Sequence, residues 1–132
     1  MARPRRLGWA LAALLLAAGG LAWPLYAARQ ERIGIARAIT GGEPSRAPPL
    51  LIRHGCGGCH SIPGVPGADG RVAAPLDGLR QRVYLGGVLP NTAENLMAWI
   101  TDPRRFAPNT AMPANALREA EARDIAAFLY SR

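Results

Sequence analysis

The chain has 132 residues, a formal net charge of +7 and a sequence pI near 11.0, and its 16 basic residues are all arginine. The arginines are scattered rather than interleaved with aromatic residues, and from Arg46 onward ten of them accompany seven acidic residues, so the charge does not indicate a nucleic-acid-binding protein. About 100 residues remain after an apolar N-terminal stretch, which is enough for one small domain. Aromatic residues make up only 6% of the chain, so a buried apolar cofactor would complete an otherwise thin core.

The N-terminal stretch has the pattern of a membrane anchor. Residues 1–6 form a cationic head, and residues 7–28 carry no charge and would span roughly 33 Å as a helix. Trp9 and Trp23 stand near the two ends, as interfacial anchors do. The arginine head predicts a single-pass protein of the inner (cytoplasmic) membrane, with the domain on the periplasmic or outer side. A signal peptide cleaved after Ala22 is the alternative, and it would export the domain equally.

A linker is predicted at residues 29–45. Its first half can form a short helix that ends at Gly41 and Gly42, and its second half is turn-like. An extended linker would let the domain stand off the membrane or swing toward its partners. The domain itself would then occupy residues 46–132.

Three helices are predicted in this domain. A short one starts near Pro49, which suits a first helical turn. Asn91 followed by Glu94 resembles a capping box, and the helix that it opens should run to about Thr101. The last helix is expected at residues 115–131. Its buried stripe consists of Ile125, Phe128 and Leu129.

The run Cys56-Gly57-Gly58-Cys59-His60 has the spacing of a c-type haem attachment site. Two thiols can add to the two vinyl groups of a haem, and the following His60 would lie under the iron as an axial ligand. Glycine at both middle positions would remove side chains that press on the ring. A redox dithiol would need a thioredoxin-like context, and a zinc site would need two further ligands, so covalent haem is favoured.

The second axial position has several candidates. Met112 lies in a proline-bounded loop 52 residues after His60, which is enough chain to wrap over the ring. Met97 falls on a predicted helix, where methionine usually fills core space. His54 is on the proximal side, and Met1 is in the cytoplasmic head. Met112 is therefore the predicted ligand, and a five-coordinate iron is the alternative.

These motifs together resemble the class I monohaem cytochromes c over residues 46–132. The resemblance implies an all-α domain around one covalent haem, with the first and last helices crossing. One departure is that the first helix is short and that residues 46–55 include no aromatic residue. The resemblance rests on Cys56-Gly57-Gly58-Cys59-His60, Pro75-Leu76-x-Gly78, Trp99, Pro108-Asn109-Thr110-Ala111-Met112-Pro113 and Asp124-Ile125-Ala126-Ala127-Phe128-Leu129.

The resemblance also implies roles for residues around the haem. The carbonyl of Pro75 would accept a hydrogen bond from the second ring nitrogen of His60 and orient the ring. Thr110 and Trp99 would lie near the haem propionates, with Tyr84 as a further neighbour.

The predicted function is one-electron transfer in a respiratory chain by a membrane-tethered c-type cytochrome, and not catalysis. A thioether ligand in a dry pocket favours the less charged ferrous iron. The resemblance implies a terminal oxidase or a quinol-oxidising complex as partner. Two alternatives stay open: a five-coordinate haem sensor or small-ligand binder, and a haem-bearing subunit of a respiratory complex.

Overall fold

The computed structural model describes the backbone of residues 3–132 and the side chains of residues 8–132. The side chains of the cationic head, Met1 included, lie outside this described part. The chain divides into two compact units, residues 1–31 and residues 32–132.

The first helix, α1, runs from Arg3 to Thr40 and contains the uncharged stretch. Its portion Gly8–Thr40 is long and apolar enough to cross a membrane, and an 18-residue window within it has a mean hydropathy of 1.7. The predicted apolar N-terminal helix is therefore confirmed in length and composition.

The first half of the segment predicted as a linker is helical, as expected, and its last residues are packed within the second unit. The helix continues to Thr40 and stops at Gly41, which adopts a positive φ of 68°. Ala36 and Thr40 are only 1% and 4% exposed, and the second unit begins at Arg32. Gly42 permits this packing, because a Cβ there would lie 2.6 Å from the Asp124 nitrogen and closer still to the preceding carbonyl.

The second unit is mostly helical. A 3₁₀ turn over Pro44–Arg46 leads into α2, Ala47–Arg53. The antiparallel hairpin of β1 (Tyr84–Leu85) and β2 (Leu89–Pro90) was not predicted. Its connection contains Gly86 and Gly87, both at positive φ, as a tight hairpin requires. The remaining elements are α3 (Ala93–Thr101), α4 (Glu119–Tyr130) and 3₁₀ turns at Cys56–Gly58, Leu79–Gln81 and Pro103–Arg105.

The cap of α3 is Thr92, so the prediction of Asn91 was wrong. Thr92 accepts a hydrogen bond from the Asn95 nitrogen at 3.2 Å. The Asn91 side chain is used elsewhere. Its Nδ2 donates to the carbonyls of Leu79 and Arg82, both at 2.8 Å, and its Oδ1 accepts from the Tyr130 hydroxyl at 2.7 Å.

The last helix begins later than predicted, at Glu119 instead of Asn115. The Asn115 backbone is already engaged, since its nitrogen donates to the Thr101 carbonyl at 2.9 Å. The expected buried stripe on α4 is confirmed, with each of its side chains 2% exposed. Glu119 and Arg123, one helical turn apart, form an ion pair on the same helix.

Charged side chains join α2 to α4 where an aromatic contact is missing. Asp124, 6% exposed, accepts from Arg46 Nε at 2.8 Å and Nη2 at 2.9 Å, and from the Glu43 nitrogen at 2.7 Å. Glu121, also 6% exposed, pairs with Arg118 at 2.7 Å and with Arg53. A carboxylate held in this way satisfies its lone pairs while it is buried.

Candidate functional site

The second unit contains a cavity of about 390 Å³. Its walls come from α2, α3, α4 and the loops between them, and they are largely apolar, as in cofactor sites. Residues from both ends of the predicted site line this one cavity: Cys56, Cys59, His60, Trp99, Thr110 and Met112.

A tight turn presents the two cysteines and the histidine. α2 ends at Arg53, and Gly55 then reverses the chain at a φ of 68°. The nitrogens of Cys59 and His60 both donate to the Cys56 carbonyl, at 3.3 and 3.0 Å. This single turn brings all three functional side chains to one wall of the cavity.

The structure gives a reason for Gly57 that the sequence did not indicate. A Cβ at Gly57 would lie 2.7 Å from both Cα and Cβ of Ala68, so the following loop occupies the space. A Cβ at Gly58 would meet no described atom within 4 Å. A Cβ at Gly70 would lie 2.5 Å from the Cys59 carbonyl carbon. The loop therefore packs directly on the attachment turn, through backbone that only glycine allows.

Both cysteines are free thiols, with Cys56 half-buried and Cys59 exposed. Burial raises the pKa of the Cys56 thiol, so this group stays protonated at neutral pH. A buried, protonated thiol is a poor nucleophile for disulfide exchange.

The imidazole of His60 is oriented by a main-chain carbonyl. Its Nδ1 lies 2.7 Å from the carbonyl oxygen of Ala74, which can only accept, so Nδ1 must be the protonated nitrogen. The prediction that Pro75 accepts this bond was wrong by one residue, and the Pro75 carbonyl accepts a hydrogen bond from Arg82 Nη2 instead. With Nδ1 engaged, the lone pair of Nε2 is available to a metal.

Arg82 fastens the loop that orients His60. Besides the Pro75 carbonyl, its Nη2 reaches the carbonyl of Asp77 at 3.3 Å. Its own carbonyl accepts from the Asn91 side chain at 2.8 Å. The side chain of Arg82 also lines the cavity. Arg82 thus holds residues 74–78, including the Ala74 carbonyl, in place beside His60.

Met112 faces the cavity from the loop between α3 and α4. It is half-buried, and its nitrogen donates to the Thr110 hydroxyl at 3.2 Å. Met97 packs against the hydrophobic core and is not among the residues lining the cavity. His54 does line the cavity, and its Nε2 is buried without a hydrogen-bond partner among the described residues.

Trp99 and Tyr84 also contribute to the cavity wall, as Thr110 does. The indole of Trp99 lies flush against Gly86, where a Cβ would be 2.5 Å from Cζ2 and Cη2. The hairpin turn therefore sets the position of the tryptophan. Sequence reasoning did not find Ala74 as a site residue, and no side-chain signal marks a residue that acts through its carbonyl.

The residues present fit a covalently attached haem. Two free thiols, an imidazole with its Nδ1 engaged and a thioether sulfur share one apolar cavity. Among the described residues, no group of three or more His, Cys, Asp or Glu side chains could hold a metal ion. A zinc site at the cysteines therefore lacks the extra ligands it needs, whereas a porphyrin brings four of its own.

Comparison with known proteins agrees with this chemistry. The family model described as Cytochrome c matches residues 49–132, more than half of the chain. Cytochrome c oxidase subunit 2 of Alkalihalophilus pseudofirmus is 35% identical over 66 residues. That match covers 49% of this chain and 18% of the relative, so the chain spans less than a fifth of that protein's length. No solved structure matches. The chain belongs to the cytochrome c family, whose domain binds haem c and carries electrons.

Proposed function

We propose that the protein is a membrane-anchored one-electron carrier of a respiratory chain. Cys56 and Cys59 would hold one haem c by thioether bonds, and His60 and Met112 would occupy its two axial positions. One observation carries the proposal: these four side chains come from segments 52 residues apart and line the same apolar cavity.

The residues of this chain have distinct tasks in such a carrier. Bound in the cavity, haem c supplies a one-electron ferrous–ferric couple. The bond from His60 Nδ1 to the Ala74 carbonyl orients the ring and strengthens Nε2 as a donor. The thioether of Met112 is a soft ligand that favours the reduced iron. With both axial positions filled, neither substrate nor gas has an open coordination site.

The apolar part of α1 supports the membrane tether. We propose that the arginine head stays in the cytoplasm and that the haem domain lies on the periplasmic side of the inner membrane. A tethered carrier meets its partners in the plane of the membrane. Similarity to an oxidase subunit supports a terminal oxidase as the redox partner, and a quinol-oxidising complex is the alternative partner.

The axial ligands can be tested with carbon monoxide on the reduced full-length protein in detergent. We expect the wild type and Met97→Ala to show no rapid spectral change, and Met112→Ala to bind carbon monoxide. Met97 is a matched control, because it is a second methionine packed on the same core but outside the cavity. A rapid change in the wild type would instead favour a haem sensor or small-ligand binder.

A second candidate is a haem-bearing subunit of a respiratory complex. The observation that favours it is the similarity to cytochrome c oxidase subunit 2. Mild solubilisation followed by native electrophoresis with haem staining separates the two candidates. A free carrier should migrate apart from the oxidase, whereas stoichiometric co-migration would establish the subunit.

A further inference from the structure

The segment between α3 and α4, residues 102–118, is here called the methionine loop. Apart from the 3₁₀ turn at Pro103–Arg105 it has no regular structure. Pro108, Ala111, Pro113 and Ala114 are exposed, so few buried contacts restrain the chain around Met112. Ordering each such residue costs roughly 1–2 kcal/mol of conformational entropy. Specific bonds must therefore hold the thioether in place.

Two residues supply bonds next to Met112. Thr110 accepts from the Met112 nitrogen at 3.2 Å, but this bond lies inside the methionine loop and cannot fix the loop to the domain. Asn115 reaches outside it. Its backbone nitrogen donates to the Thr101 carbonyl at 2.9 Å, and its Nδ2 donates to the Ile100 carbonyl at 3.1 Å.

The two accepting carbonyls belong to the last turn of α3. Carbonyls at a helix C-terminus have no partner within the helix, so Asn115 satisfies two groups that would otherwise need water. Ile100 is 8% exposed and lines the cavity, as Asn115 does. These bonds therefore connect the methionine loop to the cavity wall at Asn115, three residues after Met112.

We propose that Asn115 is a positioning residue that keeps the Met112 thioether at the axial position by fastening the methionine loop to the end of α3. The inference rests on the proposed role of Met112 as a ligand. Loss of the Asn115 amide frees the loop to leave the cavity, and an external ligand then competes more easily for the iron. The backbone bond to Thr101 remains in any variant except proline.

The test is imidazole binding to the oxidised full-length holoprotein in detergent, followed in the visible spectrum. Asn115→Ala removes the side chain, and Asn115→Leu removes the Nδ2 donor while keeping similar volume. We expect both variants to bind imidazole about tenfold more tightly, a change equivalent to 1.4 kcal/mol. Asn109→Ala is the control, because Asn109 is an exposed asparagine of the same loop, and its affinity should equal that of the wild type.

The outcomes separate this inference from the proposed function. If Met112→Ala binds imidazole no more tightly than the wild type, Met112 is not the ligand and the proposed function fails. If Met112→Ala binds more tightly but both Asn115 variants match the wild type, only the inference about Asn115 is overturned. Loss of covalent haem or of helical content in both Asn115 variants would assign the residue to folding and overturn it as well.

Discussion

At the scale of single residues, main-chain atoms carry much of the site. The carbonyl of Ala74 orients His60, and the carbonyls of α3 receive Asn115. Gly57 and Gly70 let a loop lie directly on the attachment turn. These contacts need only a carbonyl or the absence of a side chain. They therefore depend on where the backbone runs.

The two middle glycines of the attachment turn should respond differently to substitution. Gly57→Ala would place a methyl group 2.7 Å from Ala68, so we expect a loss of about 1–3 kcal/mol in the free energy of unfolding and a lower yield of holoprotein. Gly58→Ala meets nothing within 4 Å and should behave nearly as the wild type. Chemical denaturation and haem content per chain measure both effects. Equal damage from the two substitutions would show that room for the ring, and not Ala68, explains the glycines.

At the scale of elements, buried carboxylates join α4 to the start of the domain. Hydrogen bonds from Arg118, first its side chain and then its backbone, lower the pKa of Glu121 to about 2. Arg46 lowers the pKa of Asp124 in the same way. The folded state therefore stabilises the charged carboxylate of each of these two acids relative to its protonated form. They contribute stability above their unfolded pKa, and this stability is lost as the pH falls toward their folded pKa.

Acid should therefore weaken the packing of α2 against α4. We expect the urea midpoint of the wild type to fall between about pH 4.5 and about pH 2, the ordinary and the lowered pKa of Glu121. The double variant Glu121→Gln, Asp124→Asn should be less stable at pH 7 and should lose the share of this pH dependence that these two acids contribute. Glu43 keeps its own share, because the hydrogen bond from Arg37 lowers its pKa to about 2 as well. Glu119→Gln, which removes only an exposed ion pair, should keep it. An unchanged acid slope in the double variant would contradict the assignment.

A second prediction at this scale concerns the end of α1. Gly42→Ala would drive a methyl group into the backbone of α4, so we expect about 1–3 kcal/mol of destabilisation. Faster trypsin cleavage after the arginines of residues 32–46 should accompany it. A Cβ at Gly34, which lies in α1, would meet no described atom within 4 Å, so the control Gly34→Ala should not destabilise the protein. If Gly42→Ala left both stability and cleavage unchanged, residues 41–44 would not pack on α4 in solution.

At the scale of the whole molecule, the compact unit is larger than the family match. The unit begins at Arg32, whereas the match begins at residue 49. Several residues between these points are buried, among them Ala36, Thr40 and Pro44. Residues 32–45, which belong to the predicted linker, thus contribute to the fold of the domain.

The mass of the mature protein tests two proposals about the whole molecule together. We expect the chain isolated from membranes to retain residues 7–28 and to carry the mass of one haem. Intact mass spectrometry, with Cys56→Ala, Cys59→Ala as the haem-free control, measures both quantities. A chain that begins after residue 22 would replace the anchor with a cleaved signal peptide, without affecting the haem assignment.

Local patterns in the amino-acid sequence were sufficient for several features. The spacing of Cys56, Cys59 and His60 was by itself sufficient to predict covalent haem attachment. The membrane-spanning stretch was predicted from its uninterrupted run of apolar residues, because membrane insertion depends on side-chain type. The buried stripe of α4 was predicted from the helical spacing of its apolar residues. The cap of α3 could not be predicted at this level, since both Asn91 and Thr92 can cap a helix. Only the tertiary hydrogen bonds of the Asn91 side chain, to Leu79, Arg82 and Tyr130, distinguish the two.

Tertiary structure alone decided the rest. Three features are of this kind: the bond of His60 to the Ala74 carbonyl, the packing of residues 32–46, and the hydrogen bonds of Asn115 to α3. Each of them either joins parts of the chain that are distant in sequence or acts through the backbone. Every residue carries the same carbonyl, so its identity says nothing about which one meets the histidine. The type of a side chain determines its chemistry, whereas the path of the folded backbone determines which groups that side chain contacts.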